Sequence, residues 1–271
     1  MIHLDFETRS TVDLSSCGVH RYASDPSTGI WCMAWMPDDA ATPAVWREGE
    51  PFPEELRRRI DAGELISAWN AQFERIIWSR VAARYRFPHV PFQQWRCSMA
   101  QAARLGLPLR MSDAAAALGA STQKDQVGAA LMMRMCRPRA IIDGHPVWWD
   151  DPYRRSRLEE YCAQDVLVAR NLVDAYLRPL SDAEQAIYEL DQRINDRGVL
   201  IDWALVDGLQ AVTDIALAEA NERIATITAG AVTAVSQVAS LCEWLRSRGV
   251  PLESVRAAEL DHVLTLDGLP E

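Results

Sequence analysis

The strongest constraint on what this 271-residue chain can fold into stands at its N-terminus. There the run IHLDFET sets two carboxylates, Asp5 and Glu7, into an apolar segment of strand character. Side chains alternate across a strand, so residues two apart share a face. Asp5 and Glu7 therefore point the same way and repel each other. Such a pair is either left in water or neutralised by something positive, and the rest of the chain must decide between the two.

Further strand-like runs follow at 29–36 (GIWCMAWM), 44–46 (AVW) and 65–69 (LISAW), with a helical pattern at 54–62. From Gln72 to about Tyr85, Phe73, Ile76, Ile77, Trp78 and Val81 recur at helical spacing. Strands first in succession and then alternating with helices predict an α/β fold, a mixed sheet covered by helices. The stretch 97–136 reads as several helices. Residues 138–152 (PRAIIDGHPVWWDDP) read as a loop, and helix returns from about Arg154 to Leu177. LRPLSD at 177–182 is the best domain junction, dividing the chain into 1–178 and 179–271. Beyond it a capping box, Ser181 with Glu184, opens a helix whose apolar stripe is Ile187, Leu190 and Ile194 and whose C-terminal cap is Gly198. VLID is a short extended piece, 203–228 a long Ala-rich helix, and 235–266 helices broken by turns.

Bulk properties exclude several classes. An apolar fraction of 49% with 24% charged residues belongs to a globular chain. There is no apolar run of about 18 residues and no basic-then-apolar leader, so neither a membrane span nor a secretory signal is expected, and the cytoplasm is the default location. The six cysteines show no C-x-x-C spacing and read as buried thiols. The five histidines show no metal-binding spacing, and no nucleophile elbow, Walker loop or dinucleotide fingerprint occurs. A net charge of -10 and a pI near 5.1 argue against non-specific coating of nucleic acid, though not against a local basic groove beside an acidic pocket. Nearly all the cationic residues are Arg, the single lysine being Lys124.

Alone, D-x-E is a weak signal, and two further places give it partners. In NAQFE at 70–74 a strand runs into Asn70 and then a helix carrying Glu74. In EEYCAQDV at 159–166, Tyr161 and Asp165 stand four apart and so share one helix face. The order D-x-E-T, N-x-x-F-acid, Y-x-x-x-D resembles the three exonuclease motifs of the DEDD superfamily in its Tyr-containing branch. More narrowly, residues 5–30 resemble the opening of the proofreading domain in phage and prophage family-A DNA polymerases. Residues 183–202 resemble the entry into their polymerase region.

The resemblance implies a ribonuclease H-like sheet, with the acids meeting at one edge of it, and a metal-dependent 3′→5′ exonuclease acting on single-stranded or frayed DNA 3′ ends. It also implies a polymerase domain in a longer chain. Phosphodiester hydrolysis needs an activated water, charge neutralisation and help for the departing oxygen, which two divalent ions about 3.5–4 Å apart supply. Mg²⁺ or Mn²⁺ prefers oxygen ligands and no thiols. By resemblance, Asp5, Glu7 and Asp165 are direct ligands, with Asp5 between the ions, and Tyr161 orients the water. Glu74 departs from the family's more usual Asp and would bind the second ion through water or less tightly. Thr8 would lie near the terminal nucleotide, and Asn70 would cap its helix or bond the strand end. Phe73 reads as core and Trp148 and Trp149 as packing anchors. The clusters Arg134, Arg137, Arg139 and Arg154, Arg155, Arg157 read as solvated faces. The rival readings are an RNA 3′ exonuclease of the same superfamily and a non-catalytic scaffold that has kept the fold.

Overall fold

The computed structural model describes residues 1–120 and 125–265. Lys124, at the head of the helix expected over 124–136, lies outside them, as does the last residue of the helical stretch expected over 235–266. The described chain divides into two compact units, Met1–Gly198 and Val199–Glu271.

In the first unit, β1 (Ile2–Arg9) pairs antiparallel with β2 (Gly29–Pro37), which pairs antiparallel with β3 (Ala44–Arg47). On its other side β1 pairs parallel with β4 (Ile66–Ala68), and β4 with β5 (Trp95–Cys97). The order β3-β2-β1-β4-β5 is the mixed sheet of a ribonuclease H-like α/β fold. Strand β1 is its middle strand, so the acids stand on a face at the centre of the sheet. This corrects the expectation that they meet at a sheet edge.

The two faces of β1 have different fates. Ile2, Leu4 and Phe6 enter the main core beneath α1 (Leu14–Ser24), α2 (Glu54–Asp61) and α3 (Ala71–Arg80). Trp46, Phe52, Trp78, Phe87 and Trp95 interlock in that core, with ring centroids 4.6–5.9 Å apart and near-edge geometry. Four helices follow the sheet strands: α4 (Ser98–Arg104), α5 (Met111–Ala117), α6 (Gln126–Met135) and α7 (Pro152–Ala175). Helix α7 covers the second face, where Cys32, Ala34 and Met36 of β2 meet Cys162 and Val166. These are mostly small side chains, so the helix comes close to the carboxylates of β1. A β-bulge between Glu7 and Thr8, with Glu7 opposite Cys32 and Thr8 opposite Ile30, breaks the alternation of β2. Trp31 and Cys32 thus both join clusters on the α7 side, and the Trp31 indole N–H donates to the Met135 carbonyl at 3.1 Å.

Where the sequence pattern predicts a loop, residues 140–147 form a hairpin of β6 (Ala140–Ile142) and β7 (His145–Val147). Asp143 and Gly144 both adopt positive φ, +50° and +77°, which a two-residue turn of this kind requires. Helix α8 (Asp182–Arg197) has the expected capping box and Gly198 cap, and it packs within the first unit. Its inner face is polar: Arg75 pairs with Asp196, Arg104 pairs with Glu184, and Tyr188 meets the main core. The expected apolar stripe of Ile187, Leu190 and Ile194 is exposed instead, because those ion pairs fix the opposite face inward.

The second unit holds α9 (Trp203–Ile227), then α10 (Val238–Ser247) and α11 (Ala257–Leu264), which with the segment between them build a small core of Cys242, Leu252 and Val263. Helix α9 buries none of its residues and exposes Trp203, Leu205, Leu209, Val212 and Ile215. No described helix is long and apolar enough to cross a membrane.

Candidate active site

Asp5 and Glu7 project from β1 toward α7, as strand alternation requires. Glu7 is buried and Asp5 half-buried. The Cys162 thiol lies beneath them, its sulfur 3.5 Å from both the Asp5 Oδ2 and the Asp5 carbonyl oxygen. One ligand atom from each of Asp5, Glu7 and Cys162 falls within 4.8 Å of the other two. The oxygen-only donor set expected from the sequence therefore has a sulfur neighbour. Burial first, then Cys32 and the acids, pushes the Cys162 thiol far up, so at neutral pH it is an S–H donor to Asp5.

Helix α7 brings the other expected pair. Tyr161 is buried and its hydroxyl hydrogen-bonds Asp165 four residues on, the i, i+4 relation visible in the sequence. Burial, then Asp165, Glu7 and Asp5, raises its pKa well above the ordinary phenol value. Tyr161 is thus a neutral phenol that can orient a water but not deprotonate one. A close approach of α6 holds the ring: a Cβ at Gly128 would lie 2.5 Å from Tyr161 Cδ2 and from Asp125 Oδ2.

Glu74 enters from α3. Its side chain is buried, and Oε2 has no hydrogen-bond partner among the described residues. Burial, and next Asp5, lift its pKa well above 4.5. An exposed surface glutamate paired with an arginine is thereby excluded. Asn70, at the N-cap of α3, makes no side-chain capping bond and is exposed at the mouth of the same cleft. Thr8 is buried and its hydroxyl bonds the Tyr22 hydroxyl at 2.9 Å.

Every residue singled out from the three motifs, Asp5, Glu7, Thr8, Asn70, Glu74, Tyr161 and Asp165, lines one cleft of about 490 Å³. Asp165 also borders a second hollow of about 670 Å³, walled by α5 and the start of α6. Around the first cleft stand residues that the sequence did not single out for the site: Tyr22, Met132, Met133 and Cys136. Arg137 and Phe73 also line it; Phe73 belongs to the core margin and the cleft at once. Tyr22 carries no local signal, being brought to Thr8 only by α1. Among the described residues the lining holds five carboxylates, Asp13 included, against the single cation Arg137, which is itself paired with Asp13 at 2.9 Å.

Such carboxylate crowding fits divalent cations. Burial and mutual repulsion already push Glu7 and Glu74 toward protonation, and the orphaned Glu74 oxygen has an unfilled acceptor site. The fold and site together define a ribonuclease H-like α/β domain with a carboxylate centre on its middle strand. The chain is 31% identical over 273 residues to the DNA polymerase of Bacillus phage SP02, across 97% of this chain and 41% of that polymerase. It thus spans about two fifths of the length of the curated relative it matches. No family model matches the chain.

Proposed function

We propose that the α/β unit is a metal-dependent 3′→5′ exonuclease that removes nucleotides from single-stranded or frayed DNA 3′ ends, the proofreading part of a phage-type DNA polymerase. The observation that carries this is the convergence of Asp5, Glu7, Glu74, Tyr161 and Asp165, from three separate elements, on one cleft. Similarity to a phage DNA polymerase along nearly the whole chain supports DNA as the substrate. The exposed apolar residues of α8 and of α9 support further protein surface packing against both helices, as a polymerase region would provide.

A phosphodiester brought to five carboxylates is repelled unless the site is neutralised. Asp5, Glu7 and Asp165 would hold two Mg²⁺ or Mn²⁺ ions, with Glu74 completing the second site directly or through water. Held there, such ions would supply charge neutralisation for the phosphate, a more acidic water and stabilisation of the departing 3′ oxygen. The chain's own residues then have separate tasks. Tyr161, donating to Asp165, keeps oxygen lone pairs to accept from the water and align it. Cys162 donates to Asp5 and fixes its rotamer. Thr8 and Asn70, which line the same cleft, would meet the terminal nucleotide.

The test is hydrolysis of 5′-labelled single-stranded DNA with Mg²⁺ or Mn²⁺, beside RNA of the same sequence. Stepwise shortening from the 3′ end that Asp5→Ala and Asp165→Ala abolish supports the proposal. Preference for RNA overturns the substrate, and activity unchanged in both variants overturns the site.

A further inference from the structure

Two tryptophan–arginine groups lie beside α6 and α7, and they differ in one respect that decides their roles. In the first, the Arg9 guanidinium lies 4.1 Å from the Trp31 ring and 5.6 Å from Trp148, and Arg155 lies 5.0 Å from Trp31. Both arginines are neutralised: Arg9 forks onto Glu48 at 2.7 and 2.9 Å, and Arg155 bonds Asp150 at 2.9 Å. Trp31 and Trp148 meet edge-on at 6.3 Å. This group is a brace with its charges satisfied.

The second group is not satisfied. Arg134, Arg139 and Arg154 converge on the one ring of Trp149, at 5.4, 5.4 and 5.6 Å. Arg154 is paired with Asp151. Arg134 and Arg139 are exposed and have no carboxylate partner among the described residues. Each exposed cation–π contact returns only about 0.5–1 kcal/mol, and among the described residues no ion pair offsets these two like charges held over one indole. In a chain of net charge -10, this is a local excess of positive charge beside a half-open aromatic face. The two arginine runs that look like separate solvated faces in the sequence thus meet at one point.

The place of this point gives its meaning. Met132, Met133, Cys136 and Arg137 line the acidic cleft while Arg134 and Arg139 reach Trp149, so the one segment 132–139 contributes to both places. The Ser10 amide donates to the Cys136 carbonyl at 3.0 Å and ties that segment to the end of β1. The Arg139 amide donates to Val147 at 2.7 Å, fixing the hairpin beside it.

We infer that Trp149 with Arg134 and Arg139 is a docking point for the 5′-ward part of a single-stranded polynucleotide whose 3′ end occupies the cleft. The guanidiniums take phosphates and the indole takes a base face. This rests on the nuclease reading for the direction of the strand, but binding itself is measured separately.

The experiment compares fluorescein-labelled dT12 with dT2 by anisotropy, with Ca²⁺ replacing Mg²⁺, for the full chain and for Arg134→Gln/Arg139→Gln. The double variant should bind dT12 about tenfold more weakly. Its slope of log affinity against log salt should fall by about 1.4, at about 0.7 per lost single-strand phosphate contact. Affinity for dT2 and hydrolysis of the p-nitrophenyl ester of thymidine 5′-phosphate should be unchanged. Trp149→Leu, checked for an unaltered melting transition, should weaken dT12 in the same direction. Unchanged dT12 affinity and slope overturn the inference, as does an equal loss for dT2. A wild-type chain that hydrolyses nothing yet shows the length-dependent, arginine-dependent binding defeats the nuclease reading and leaves this one standing.

Discussion

The sulfur of Cys162 on α7 lies 3.5 Å from a carboxylate oxygen of Asp5 on β1, across the seam where helix meets sheet. That seam is built from small residues, Cys32, Ala34 and Cys162, and its narrowness is what places Asp165 and Tyr161 over the strand acids. A branched side chain at 162 has nowhere to go. Cys162→Leu should cost about 1–3 kcal/mol by overpacking and should abolish DNA hydrolysis by lifting the helix from the sheet. Cys162→Ala should fold and melt close to wild type while turning over several-fold more slowly, having lost the S–H donor to Asp5. Melting curves beside rates check both, and an Ala variant at full rate would remove the thiol from any positioning role.

Gly128 makes the matching contact on the other side of Tyr161. Its backbone is ordinary helix, so the demand for glycine comes from space alone: an added Cβ lies 2.5 Å from the Tyr161 ring and from the Asp125 carboxylate. Neither neighbour can move freely. Asp125 caps α6 through the Gly128 amide at 2.9 Å and pairs with Arg157, and Tyr161 is buried. Gly128→Ala, a change that usually stabilises a helix by up to about 1 kcal/mol, should here destabilise by about 1–3 kcal/mol. It should also depress the rate at saturating DNA more than the apparent KM, because it displaces the phenol rather than the strand. Chemical denaturation and steady-state kinetics on the same sample decide this.

How far the site was legible follows from where each signal resides. Asp5 with Glu7 and Tyr161 with Asp165 are local pairs whose shared face is dictated by strand and helix periods, and the sheet strands of eight or nine residues were equally readable. Tyr22, Met132 and Cys136 reach the cleft only through tertiary packing, which no periodicity encodes. The hairpin at 140–147 hid behind Gly144 and Pro146, residues that punctuate loops as readily as short exposed strands. Strand β5 has three residues, too few for a period. In α8 the apolar stripe was correctly located but not its partner, since a pattern shows which face is apolar and not what covers it. The arginine runs around 134–139 and 154–157 were visible singly, whereas their meeting at Trp149 was not.

Glu7 and Glu74 give the site a pH signature. Burial first, and Asp5 next, hold both above their ordinary value of 4.5, so the fold keeps protons that the unfolded chain has released. The contribution of these two groups to stability is therefore full below about pH 4.5 and is lost as pH rises from there through their folded-state values. In EDTA, Glu7→Gln should melt above wild type at pH 7.5, with the gap closing toward pH 4.5. A gain of 1 kcal/mol corresponds to about 2–4 °C for a chain of this size. Adding Mn²⁺ should raise the wild-type transition more than that of the variant, because binding to the folded form alone stabilises it. A gap independent of pH, or equal Mn²⁺ shifts, would contradict the strain assigned to these carboxylates.

Asn70 separates a structural from a substrate role cleanly. An asparagine at an N-cap ordinarily holds a backbone amide of the first turn, and replacing it with alanine then costs about 1 kcal/mol. Here the side chain makes no such bond and stands exposed at the mouth of the cleft. Asn70→Ala should therefore leave the denaturation midpoint within the error of measurement. It should raise the apparent KM for single-stranded DNA several-fold with little change in the rate at saturation, as loss of a contact made equally in the ground and transition states requires. Asn70→Asp supplies the control: it keeps the size but adds a sixth carboxylate to a lining that holds five. Its KM should rise further, and more steeply at low salt. A loss of stability in Asn70→Ala with KM unchanged would return the residue to helix capping and take it out of the site.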